Sequence, residues 1–424
     1  MKIIYIYERR FAYKGDFESF GYDIFLEKKY EVEVWSLMEW LFGKTTKDIP
    51  INIPLDNDEY VHYIRSEEDF LENLQRVKNE EVFFLCYPYH AFGEKSFLIR
   101  RLLNNYDMPF ANITESIPIC ELFFYHIPMN KVSALLRILR NVIVRNGYYA
   151  YLFLVSGFRQ NKYKQEIVDS FYRIFGYLFY PSVYNFVTTE VAYYTFPNPF
   201  EKWSDKNVLI SAESYTEYVR NLDNDSDLDN YIVFIDQGLI KRNEVFSITY
   251  GDGLIKNERK YCTDLCMLFD ILEFEYNCEV VIAAHPKSNY DGSEFGNRKI
   301  IYRKTAELIK NAKLVINQFS TALGLVIMYK KPFIDICTKE MYGYGNGEYK
   351  KTYRYLEKLF NCKVIDISDY GMVKDFKKYI VNYDTKIYER YKSLAIKSES
   401  SIGDGKRFYE VVYDNIEKWR ENNI

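Results

Sequence analysis

Few side chains in this sequence suit catalysis, and the best of them stand at the ends of apolar runs. There are four histidines, His62, His90, His126 and His285. His285 follows Val280-Val281-Ile282-Ala283-Ala284 and precedes Pro286, Lys287 and Ser288. A second apolar run, Leu314-Val315-Ile316, leads into Asn317-Gln318-Phe319-Ser320-Thr321. Each run reads as a buried strand that delivers polar residues at its C-terminal end. In an open parallel α/β sheet that edge is where ligands bind. Ser320 and Thr321 stand where a helix should begin. Free N–H groups and hydroxyls at a helix start suit phosphate. A hydrogen-bonding imidazole beside a leaving phosphate lowers the energy of the charge that develops on bond cleavage. Pro286 fixes the backbone direction there, and Lys287 adds a cation. The set therefore predicts a grip on a nucleotide phosphate, suited to breaking a sugar–phosphate bond.

That chemistry needs no metal, and no Asp-x-Asp stands at a strand end. Asp223-Asn224-Asp225 has the spacing but lies in a polar linker. No cofactor is expected; a nucleotide-sugar donor would enter as substrate. Three further residues have two readings each. Gln237 and Gly238 lie in the segment Ile235-Asp236-Gln237-Gly238-Leu239, which ends another apolar run, Tyr231-Ile232-Val233-Phe234-Ile235. Gly238 would let backbone N–H groups approach a ligand, or the segment is a plain strand-to-helix turn. Glu340 would bond a ribose or base, or is a solvated surface carboxylate.

The elements that must position these residues follow a pattern of alternation. Strands are expected over 2–7, 30–35, 81–86 and 109–113, with helices over 17–28, 68–77 and 96–104. A second series places strands over 231–235, 279–284, 314–316, 332–336 and 363–365. Its helices fall over 259–276, 305–311, 321–329 and 349–359, with Thr305 as an N-cap. Such βα alternation implies parallel sheets with right-handed crossovers. Residues 120–200 differ: they are aromatic and basic, and read as a helical insertion. Within it, 131–180 has the cationic, amphipathic character of a segment that lies on an anionic membrane surface, or of a solvated basic face. Residues 373–419 read as a charged helical tail.

The 424 residues exceed one ordinary core and fit two domains of about 200 residues each. Expected boundaries are 1–204, 205–385 and a tail at 386–424 that packs back on the first domain. The net charge of −4 excludes a general nucleic-acid binder. Seven scattered cysteines make no disulfide framework, which points to a reducing cytoplasm. No apolar run is long enough to span a bilayer.

Two Rossmann-like domains facing a cleft, with a helical insertion and a helical tail, make the α/β architecture called GT-B. The His285-Pro286 pair followed by Ser320-Thr321 resembles the HP and S-S/T motifs of bacterial GT-B transferases that use CMP-activated sugars. These include sialyltransferases, polysialyltransferases and the CMP-Kdo enzymes of capsule assembly. The likeness covers roughly residues 231–340; the first domain matches only in its βα character. It implies that His285 and Pro286 contact the nucleotide phosphate region and that Ser320 and Thr321 grip the phosphate.

An inverting transfer needs a general base near the acceptor hydroxyl. In that family the base is an acidic residue in an acidic-Gly motif, of which this sequence has no clean copy. Asp16, in Lys14-Gly15-Asp16, and Glu115, in Thr114-Glu115-Ser116, are equal candidates. The expected protein is a cytoplasmic transferase at the inner face of the membrane. It moves a CMP-linked sialic acid-like sugar or Kdo to a glycan or glycolipid acceptor. Competing readings are a UDP- or GDP-sugar enzyme, a CDP-alditol transferase, an epimerase of the same fold, and a non-catalytic scaffold.

Overall fold

The computed structural model describes residues 1–7, 20–43, 60–87, 93–114, 168, 180, 182–188, 207–224, 226, 228–240, 255–286, 288–343, 348–399, 401–403 and 405–423. Two parallel sheets organise them. The first holds seven strands in the order β3-β2-β1-β4-β5-β6-β7. These are β1 (Lys2–Tyr7), β2 (Glu31–Ser36), β3 (Val61–Tyr63), β4 (Val82–Tyr87), β5 (Phe110–Thr114), β6 (Tyr184–Thr188) and β7 (Asn207–Ile210). Every residue of β1 and of β4 is buried. Continuous apolar runs such as these belong to central strands covered on both faces.

On one face Ile4, Trp35 and Phe84 pack against Phe70 and Leu74 of the helix Glu67–Val77. Ser66 caps that helix, accepting the Asp69 N–H at 3.2 Å. On the other face Ile3, Tyr5 and Val34 meet Phe25, Tyr409 and Val412. Tyr409 and Val412 come from the last helix, Phe408–Asn423, which lies on the first sheet. Gly21, at φ +67°, admits Tyr409: a Cβ there would sit 2.3 Å from the tyrosine Cβ.

The second sheet holds six strands in the order β10-β9-β8-β11-β12-β13. They are β8 (Tyr231–Ile235), β9 (Glu279–Ala284), β10 (Ile300–Tyr302), β11 (Val315–Asn317), β12 (Phe333–Cys337) and β13 (Ile365–Asp366). The long helix Glu258–Tyr276 covers one face through Leu265, Leu268, Phe269 and Leu272. The helices Leu323–Met328 and Thr385–Ala395 cover the other. Two crossings join the sheets and run together. Ala212 N–H donates to the Ile396 carbonyl at 2.7 Å, and Ile402 N–H to the Leu209 carbonyl at 2.9 Å.

Several expectations change in detail. Tyr184–Thr188, inside the stretch expected to be helical, is a strand of the first sheet. The first sheet also takes its last strand from Asn207–Ile210, so the chain crosses to the second sheet after it. Thr305 is the first residue of its helix rather than the cap, and Lys304 fills the cap position with no side-chain bond. The rest of 120–200, including nearly all of 131–180, lies outside the described residues. Among the described residues no helix is long and apolar enough to cross a membrane.

Candidate functional site

Both sheets are doubly wound, with successive strands added outward first on one side and then on the other. In the second sheet the direction reverses between β8 and β11, which are hydrogen-bonded neighbours. A crevice opens at such a reversal, outside the carboxyl ends of the strands. Three adjacent strand ends meet there. β9 delivers His285, β8 delivers Asp236, Gln237 and Gly238, and β11 delivers Gln318 to Thr321. β8 separates β9 from β11, so the His285 and Ser320 loops leave the sheet two strand spacings apart, about 10 Å.

His285 is half-buried. Its backbone is held on both sides: the N–H donates to Asp236 Oδ2 at 3.0 Å. Its carbonyl accepts from Ser288 N–H at 2.9 Å and from Ser288 Oγ at 2.7 Å. Pro286 is exposed beside it, and Lys287 lies outside the described residues.

Gln237 is half-buried, and its Nε2 donates to the Asp236 carbonyl at 3.3 Å. Gly238 has φ +62°, a left-handed turn that favours glycine. Its N–H donates to Asp236 Oδ1 at 2.8 Å, so that group serves the turn itself.

Ser320 and Thr321 differ. Ser320 is buried and its Oγ accepts the Ala322 N–H at 3.1 Å. Thr321 is exposed. The helix expected from 321 starts at Leu323 instead. Phe319 takes a left-handed φ of 52°, and the chain spends the next three residues in a turn. Leu323 N–H closes it on the Ser320 carbonyl at 3.2 Å. Glu340 lies farther along the edge, where its Oε2 accepts the Lys256 N–H at 3.0 Å. That bond ties the segment before Glu258–Tyr276 to the helix Lys339–Gly343. Asp16 and Glu115 lie outside the described residues.

The buried polar residues beneath this edge were not found from sequence. Asp236 is 5% exposed and also accepts the Tyr290 hydroxyl at 2.9 Å. Burial, then the Asp236 charge, pushes the Tyr290 phenol far up. Tyr261 donates to Gln318 Oε1 at 2.6 Å, and burial followed by the Asp236 charge raises its phenol as well. Asn317 pairs in register with Asp335 across β11 and β12, and its Nδ2 donates to Asp335 Oδ1. Burial pushes the Asp335 carboxyl up to about 7, against the Asn317 bond that pulls it down. One signal was available: Asn317 and Gln318 are polar residues set directly after an apolar run. Among the described residues no cluster of side chains has a metal-ligand arrangement.

No protein-family model matches this chain, and no curated protein matches it. Solved structures do. CalG4, the calicheamicin glycosyltransferase, is 11% identical with a TM-score of 0.50, covering 100% of this chain and 99% of its own. A 2,6-sialyltransferase of Vibrionaceae Photobacterium sp. JT-ISH-224, solved with CMP and lactose, is 10% identical with a TM-score of 0.46, covering 87% and 79%. At such identity the CalG4 likeness shows the fold: two Rossmann-like domains of the GT-B type.

Proposed function

We propose that this protein is a glycosyltransferase that takes a nucleotide-linked sugar as donor, with the nucleotide phosphate held at the β8/β11 reversal of the second sheet. The observation that carries this reading is the convergence of three adjacent strand ends on that reversal, bearing His285, Gln237–Gly238 and Ser320–Thr321. Fold alone does not fix an activity; these residues supply the chemistry.

In the proposed reaction an acceptor hydroxyl attacks the anomeric carbon of the donor. The bond from that carbon to the phosphate oxygen breaks, and its electron pair stays on the oxygen. Donors aimed at that oxygen stabilise the developing charge. The His285 imidazole and the Thr321 hydroxyl are the groups suited to it, with Ser320 shaping the loop that presents Thr321. The acceptor proton passes to a carboxylate, for which Asp16 and Glu115 are the candidates. The resemblance of His285-Pro286 and Ser320-Thr321 to CMP-sugar transferases favours a CMP-linked sialic acid-like sugar or Kdo. A surface glycan or glycolipid is then the acceptor, met in the cytoplasm at the inner membrane face through 131–180.

Nucleotide release tests the reading. The protein is incubated with CMP-, UDP- and GDP-linked sugars, and the free nucleotide is measured. Release from the CMP-linked donor above the uncatalysed rate supports the full proposal. Release from a UDP- or GDP-linked donor keeps the transferase and discards the CMP assignment. A folded protein that releases none of them, with acceptors present, is a scaffold rather than an enzyme.

A further inference from the structure

We propose that Asp236 is a positioning residue that sets the His285 loop against the nucleotide crevice. This inference rests on the function proposed above. The carboxylate stands one residue past β8, where its own N–H still donates to the Ala283 carbonyl of β9 at 3.1 Å. From there it accepts hydrogen bonds from three described residues. Gly238 N–H meets Oδ1 at 2.8 Å, while His285 N–H at 3.0 Å and the Tyr290 hydroxyl at 2.9 Å meet Oδ2. One buried group thus ties together the turn after β8, the turn after β9 and the segment beyond it.

An alternative role as a direct ligand contact fits poorly. The carboxylate is buried, and both oxygens are already turned toward protein donors. Its position instead explains why the His285 backbone is fixed. The His285 N–H is held by Asp236 and its carbonyl by Ser288, so the backbone of His285 is tied on both sides. Hydrogen bonds to a charged acceptor are the stronger kind. A reacting group displaced by about 1 Å can lose about 100-fold in rate.

Asp236→Asn keeps the size of the side chain and removes the charge. Its NH₂ can donate to the Tyr290 hydroxyl but faces a backbone N–H as well, so the bond from Gly238 or from His285 is lost and the one kept no longer meets a charged acceptor. Tyr290→Phe removes a single hydroxyl and leaves the other two bonds; it serves if Asp236→Asn does not fold. Two readouts apply to each variant. The first is hydrogen exchange of the His285 amide, which reports loop position whether or not the protein is an enzyme. The second is the split between kcat and donor KM.

The expected result for Asp236→Asn is faster exchange at His285, a kcat lowered by about 100-fold and a donor KM changed less than about threefold. Tyr290→Phe should show the same pattern at about a tenth of the size. Unchanged exchange at His285 in both variants overturns the proposal. So does faster exchange with wild-type kcat, which makes Asp236 a packing residue only. If the wild-type protein turns over no donor, the proposed function has failed, and the exchange readout still decides whether Asp236 sets the loop.

Discussion

The side-chain carboxylate of Asp236 accepts the backbone N–H of His285 at 3.0 Å. That bond joins the ends of two neighbouring strands on the carboxyl edge of the second sheet. It is made by the backbone of His285, so it remains available to the turn when the imidazole is replaced. His285→Ala should therefore lower turnover of the donor by roughly 10³-fold, within the range of a lost donor to a developing oxyanion. Its melting temperature should stay near that of the wild type. Steady-state kinetics beside a thermal melt checks both; near-normal turnover in a folded variant removes His285 from the chemistry.

Ser320 and Thr321 are adjacent and should behave differently. The Ser320 hydroxyl accepts the Ala322 N–H, so Ser320→Ala should cost about 1 kcal/mol of stability. Thr321 is exposed, and Thr321→Ala should leave the melting temperature unchanged while weakening nucleotide binding about tenfold. Calorimetric titration of CMP into each variant separates the effects. Equal affinity in Thr321→Ala and wild type would show that this hydroxyl does not meet the nucleotide.

Much of the frame was legible in the sequence. The run 280–284 has no polar residue, and Glu279–Ala284 forms the expected strand residue for residue. Tyr184–Thr188 and Asn207–Ile210 were missed because they are short and carry Asn185, Thr188 and Asn207 among few apolar residues. Sequence spacing also placed His285 and Ser320 at strand ends, but not how many strands lie between them. Pairing order set that. The segment holding Asp236 read equally as a ligand-facing loop or a plain turn, with Gly238 as its notable residue; the role of the carboxylate shows only when β9 is laid beside it. Glu340 shows the opposite limit: a contact to Lys256 across the sequence gives it a structural partner no local pattern reveals.

Glu33 should govern acid stability in the first domain. Its carboxylate accepts from Lys2 at 2.8 Å and from Arg76 at 2.7 Å. Burial alone would raise it, but the bonds from Arg76, Lys2 and Trp35 outweigh burial and hold it down to about 2. The unfolded group titrates near 4.5. The folded state thus binds fewer protons, and this stabilisation is present above about 4.5 and lost as pH falls through about 2. Glu33→Gln should destabilise the protein by about 3 kcal/mol at neutral pH and flatten its acid limb. Denaturant melts across that pH window would contradict this if the two proteins lose stability in parallel.

Asp335 should act in the reverse sense. Its folded carboxyl, at about 7, lies above the unfolded value of 3.8. The folded state binds more protons between those limits, so this contribution is greatest below about 3.8 and falls as pH rises through about 7. Asn317 Oδ1 is buried with no partner among the described residues, and a protonated Asp335 would bring a donor beside it. Asp335→Asn should remove the fall in stability across that window and melt higher than wild type at pH 8. An unchanged slope would mean that Asp335 stays ionised when buried.

The most direct test is a binding comparison of CMP with UDP, GDP and CDP on the intact chain, followed by the position of the bound nucleotide. The account predicts that CMP at about 100 times its dissociation constant stabilises the fold by about 2.7 kcal/mol. A co-crystal should then place its phosphate between the His285 and Ser320–Thr321 loops, over Gly238. A nucleotide bound elsewhere, or no stabilisation by any of the four, would contradict the account.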